Sequence, residues 1–76
     1  MSVQIEVIAY EAYRGSERPR TLILQGASVE VIEIMEQWIE EGMQDRRRRR
    51  FLRLRGSDGS DHTVFHDLAS REWFLQ

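Results

Sequence analysis

Ser28-Val29-Glu30-Val31-Ile32-Glu33-Ile34-Met35-Glu36-Gln37-Trp38-Ile39-Glu40-Glu41-Gly42-Met43 decides the fold of this chain, because two different periods fit it. At helical spacing Val31, Ile34, Met35, Trp38, Ile39 and Gly42 fall on one stripe, with Glu30, Glu33, Glu36 and Glu40 largely on the other side and Ser28 placed as an N-cap. At strand spacing Val29 and Val31 share one face whereas Ile32, Ile34 and Trp38 share the opposite one, so the apolar face must switch at a bulge near Val31-Ile32. Periodicity favours the helix. The β-branched content, Val29, Val31, Ile32, Ile34 and Ile39, favours the strand, since a branched Cβ crowds a helical turn and suits a pleated surface. In the extended reading Trp38 is expected to be buried.

The flanking segments read as strands. Val3, Ile5, Val7 and Ala9 alternate with Gln4 and Glu6, which marks a half-buried strand from Val3 to Tyr13 with Ile8 and Tyr10 on its second face. Arg14 to Pro19 is a loop by its Gly15 and Pro19, and Thr21 to Leu24 is a strand closed by the turn signal Gln25-Gly26. After a short connection around Glu41 to Asp45, Arg46 to Arg55 forms a strand whose buried face holds Leu52 and Leu54, in parity with Arg46, Arg48 and Arg50. Arg47, Arg49, Phe51, Arg53 and Arg55 share its other face. Gly56-Ser57-Asp58-Gly59 is a tight turn, Thr63 to His66 another strand, Asp67 to Arg71 a second turn, and Glu72 to Gln76 a last short strand.

Seventy-six residues suffice for one domain, 1–76, and are too few for two cores. A composition of 41% hydrophobic and 32% charged residues is that of a folding chain rather than a disordered one. The absence of Cys excludes disulfides, thiolate metal sites and cysteine nucleophiles, and makes a reducing cytoplasm the expected compartment. Met1 to Tyr10 carry Glu6 and no Lys or Arg, unlike a secretory signal, and no apolar run approaches the roughly 20 residues of a membrane span. Charge is unevenly spread: nine acids against three Arg up to Asp45 give −6, and eight Arg against four acids thereafter give +4. The net charge of −2 therefore hides an acidic half and a basic half that are able to neutralise each other.

Arg18-Pro19-Arg20, Gly26, the Val31, Ile34 and Trp38 segment, Arg55-Gly56-Ser57-Asp58-Gly59, His66-Asp67 and the terminal Trp73-Phe74-Leu75 together resemble a family of short, uncharacterised bacterial cytoplasmic proteins, over nearly the whole chain. The matching residues are turn glycines and core aromatics. The resemblance implies a compact β-rich domain and leaves function open. It tips residues 28–43 towards strand, so the expected fold is all-β: a meander of five or six antiparallel strands closed into a small SH3-like barrel. The alternative is α+β, with one helix over 28–43 on a sheet. The Arg run departs from the family pattern and sets any shared binding surface apart.

Few residues invite chemistry. His62 and His66 stand four apart beside Asp61 and Asp67, but on a strand that spacing is roughly 13 Å, too far for one ion, so no metal site or other cofactor is expected. Ser57, Ser60 and Ser70 sit in turns, where they serve backbone conformation rather than a hydrolytic triad, and no catalytic residue is assigned. The Gly-Ser-Asp-Gly-Ser-Asp stretch at 56–61 lacks the spacing of a calcium or phosphate loop. Arg47, Arg49, Arg53 and Arg55 around Phe51 are the candidate site for a polyanion, since guanidinium groups beside an aromatic ring suit a single-stranded nucleic-acid backbone and its bases. Pairing of those Arg with Glu30, Glu33, Glu36 and Glu40 is the preferred reading. Trp38, Trp73, Phe65 and Phe74 are read first as core. The sequence thus points to a non-enzymatic module acting through homodimerisation or a protein partner, ahead of nucleic acid.

Overall fold

A computed structural model of the chain describes residues 2–11 and 17–76. Six strands follow one another, β1 (Val3–Glu11), β2 (Glu17–Leu24), β3 (Ala27–Glu41), β4 (Arg48–Gly56), β5 (Asp61–Asp67) and β6 (Trp73–Leu75). Every pairing is antiparallel, each strand lies beside the next in sequence, and β6 returns to β1 through Val3↔Leu75, Gln4↔Phe74 and Ile5↔Trp73, closing a barrel. The expected all-β barrel is therefore the fold, and the helix over 28–43 is excluded.

The helical period in β3 has a specific origin. β3 pairs with β4 through Val31↔Gly56, Ile34↔Leu54, Gln37↔Leu52 and Ile39↔Arg50, with register shifts between Val31 and Glu33 and again between Ile34 and Glu36. Each shift inserts one extra residue, Ile32 and then Met35, so inward positions that an ideal strand would space by two are spaced by three. Spacings of three are what a helix shows. The expected bulge at Val31-Ile32 is present and sets Ile34 on the face of Val29 and Val31; the second, at Met35, puts Trp38 on the opposite one. Trp38 is accordingly half-buried on the barrel exterior, not in the core.

Other boundaries differ in ways that chain geometry explains. Glu17–Pro19, read as loop, already belong to β2, where Pro19 lies opposite Ala9 at a register shift between β1 and β2, a place that tolerates a missing N–H donor. The rest of that loop, 14–16, and the expected end of β1 at 12–13 lie outside the described residues. Gln25 and Gly26 both have positive φ, 52° and 82°, and join Leu24 to its partner Ala27 in a two-residue hairpin turn.

Leu22, Leu52, Leu54 and Val64 are fully buried and, with Val29 and Trp73, form the core; Ile5, Val7, Leu24, Val31, Ile34 and Leu75 pack around them. Phe65 is buried, as its reading as core expects, and Phe74 is half-buried, but both lie apart from this cluster, on the outer side of the sheet in the parity of Phe51. The apolar cluster is thus built from aliphatic side chains and one indole.

Candidate contact surface on strands β3 and β4

The register of β3 to β6 sets Trp38, Phe51, Phe65 and Phe74 opposite one another on the outer face. Their rings form a continuous stack across four strands, with centroids 5.4, 5.0 and 4.9 Å apart. Phe51 and Phe65 lie inside this row and are only 6% and 8% exposed, although they face away from the barrel core. Trp38 and Phe74, at the ends, are half-buried, and the Trp38 indole N–H donates to Glu40 Oε2 at 2.8 Å.

The candidate arginines flank this stack, and each meets a carboxylate. Arg53 pairs with Glu36 at 3.3 Å, Arg55 with Asp61 at 3.2 Å, Arg49 with Asp45 at 3.3 Å and Arg47 with Asp67 at 2.9 Å. Arg49, Arg53 and Arg55 surround Phe51 on one face as strand parity requires, while Arg47 precedes β4. Of the acids expected to neutralise them, only Glu36 does so. Glu30 accepts from Thr21 Oγ1, and among the described residues Glu33, Glu40 and Glu41 carry no ion pair. The other partners are Asp45, in the turn before β4, and Asp61 and Asp67, at the two ends of β5. Asp67 receives the backbone N–H groups of Ala69 and Ser70; burial pushes its carboxyl up, but those bonds and Arg47 outweigh it and hold the carboxyl below its ordinary range. Asp45 is held low by the Arg47 backbone N–H, with Arg49 adding to it. These acids shape their turns while neutralising the Arg row.

A second polar group lies inside one end of the barrel, unforeseen from the sequence. Arg50, His66 and Trp73 are cross-strand neighbours in the parity of the core, with the His66 ring stacked on Trp73 at 4.3 Å and the Arg50 guanidinium carbon 5.9 Å from the indole centre. Glu17 reaches this group from β2. Trp73 Nε1 donates to Glu17 Oε2 at 3.3 Å, Arg50 Nη2 donates to the Glu17 main-chain oxygen, and His66 Nε2 lies 3.2 Å from Glu17 Oε2 without a well-directed hydrogen bond. Burial lowers the His66 pKa below 6.5 despite the opposing pull of Glu17, so at neutral pH the imidazole is neutral and this contact is no ion pair. The sequence signal was present in the parity of Arg50 with Leu52 and of His66 with Val64. His62, at the far end of β5, holds Asp58 Oδ2 at 2.9 Å; the two histidines thus serve separate ends of the barrel.

Two seams remain between strands. β1 and β2 stop pairing beyond Glu6↔Ile23, which opens a cleft of about 790 Å³ lined mainly by Val3, Ile5, Leu24 and Leu75, with Gln25 and His62 at its polar side. The other seam is longer. β2 pairs with β3 only from Ala27 to Glu30, so along Val31–Glu41 no described strand lies on the side of β3 away from β4. This open edge carries Ile32, 64% exposed, and Ile39, 45% exposed, beside the outer end of the aromatic stack. No protein-family model matches the chain, and no curated protein or solved structure is detectably similar to it.

Proposed function

We propose that this chain is a non-enzymatic β-barrel module that acts through contacts with a protein, made along the open edge of β3 and the aromatic stack that ends there. The observation that supports this reading is the run Val31–Glu41, extended, unpaired on one side among the described residues, and bearing exposed Ile32 and Ile39 next to Trp38. A strand edge offers main-chain donors and acceptors in a row, and the partner that satisfies them is another strand. The arginines are less available to a polyanion, because Arg47, Arg49, Arg53 and Arg55 each already hold a carboxylate that a phosphate would have to displace. A cysteine-free module of this kind suits the reducing cytoplasm.

Titration of isotope-labelled protein separates the contact reading from nucleic-acid binding. Extended peptides are expected to shift the amide resonances of residues 31–41, and oligothymidylate at moderate salt to shift none. Oligothymidylate binding that weakens steeply with salt and disappears in the double variant Arg53→Glu, Arg55→Glu would overturn the proposal.

A further inference from the structure

We infer that the regular part of this edge, Glu36–Glu41, takes an extended basic segment with an aromatic residue between its cations; the inference rests on the reading of the β3 edge as the contact surface. Register supplies the first part of the argument. The bulges at Ile32 and Met35 disturb the early part of the edge, whereas Glu36–Glu41 pairs with Arg53–Arg48 residue for residue, leaving a flat stretch on which a second ladder can form.

Charge supplies the second part. The outer row of this stretch is Glu36, Trp38 and Glu40, the inner row Gln37, Ile39 and Glu41, and β3 contains no basic residue. A second copy pairing antiparallel along the same edge would set these carboxylates against one another, and like charges opposite one another across a ladder are destabilising. The acids guard the edge against self-association, as charged residues on exposed edges commonly do. Only Glu36 is neutralised within the chain, by Arg53; Glu40 and Glu41 have no cation among the described residues.

The third part is a template within the fold. Against these same residues β4 presents Arg53, Phe51 and Arg49 on the outer row and Leu52, Arg50 and Arg48 on the inner one. A strand shares its two faces with both neighbours, so a segment on the open side of β3 meets the same two rows. Cations at alternate positions face Glu36 and Glu40, an aromatic ring between them covers the side of Trp38 away from Phe51, and on the inner row an aliphatic residue meets Gln37 and a further cation reaches Glu41. The partner is therefore a protein strand that resembles β4 in pattern.

The test uses the full chain and a blocked synthetic peptide with the sequence Arg48–Gly56, compared with versions in which every Arg is replaced by Gln or by Glu. The Arg peptide is expected to shift and protect from exchange the amides of Glu36–Glu41, the Gln version to bind about tenfold more weakly or worse, and the Glu version not to bind. In the double variant Glu40→Arg, Glu41→Arg, at two exposed positions opposite Arg49 and Arg48 and with its fold checked by the amide spectrum, the preference should invert towards the Glu peptide. Equal binding of the Arg and Gln peptides at these amides overturns the basic partner while the contact reading stands. Failure of every peptide to move them overturns both. Concentration-dependent self-association mapped to the same amides makes the second copy the occupant, and shifts confined to other strands refute the site.

Discussion

Trp73 is the largest side chain of the interior, 6% exposed, with its ring against His66 on one side and its N–H bound to Glu17. Trp73→Ala removes that ring from a core too small to collapse around the space, and the expected loss is about 3 to 5 kcal/mol, read from urea unfolding. Near-wild-type stability would contradict its role as the interior anchor. His66 gives a pH dependence with a definite sign. Its folded pKa is depressed below 6.5, chiefly by burial, so the unfolded chain takes up the proton more readily. Stability from this residue is complete above the unfolded value and is lost as pH falls through the folded one. The urea midpoint should drop between about pH 7 and pH 5, and His66→Gln should flatten that drop. An unchanged slope in the variant would assign the titration elsewhere. At this scale the sequence showed that Arg50 and His66 share parity with core residues, but not that Glu17, far away along the chain, would meet them there.

At the scale of the element, β3 shows why periodicity misleads. Two bulges turn a period of two into steps of three, and Val31, Ile34 and Gln37 then carry a helical spacing on an extended backbone. The composition signal, β-branched residues, was the more faithful guide because it reports local backbone preference and is unaffected by an inserted residue. β4 has its counterpart in charge. Arg53 and Arg55 are half-exposed and paired with Glu36 and Asp61, and Arg55 also faces Glu33 in register. Reversing both to Glu places like charges side by side, and a loss of about 1 kcal/mol is expected, smaller at high salt. Glu36→Arg should restore part of the Arg53→Glu loss, and Asp61→Arg part of the Arg55→Glu loss, in thermal unfolding of the paired variants. Restoration by Glu33→Arg alone would show that register, rather than the observed ion pairs, governs the coupling.

Across the whole molecule the barrel is unevenly closed. β4 has a full strand on each side, β6 joins β1 through only three residue pairs, and among the described residues β3 is open beyond Glu30. Amide exchange should therefore be slowest around Leu52, Leu54 and Val64, while β3 amides directed away from β4 between Ile32 and Glu41 exchange within the early time points. Uniform protection along β3 would reveal a strand or partner already on that edge. The sequence by itself determined the strands with clean alternation, the burial of Leu52 and Leu54, the turn at Gln25-Gly26 and the gathering of Arg49, Arg53 and Arg55 around Phe51, because each of these depends on parity and on local backbone preference. Tertiary structure alone decided the second bulge, the placing of Trp38, Phe65 and Phe74 in the outer stack, the identity of the acids that hold each Arg, and the edge of β3 left open among the described residues. Those follow from which strands lie side by side and in what register, and such pairings join residues remote in sequence whose meeting no local pattern encodes.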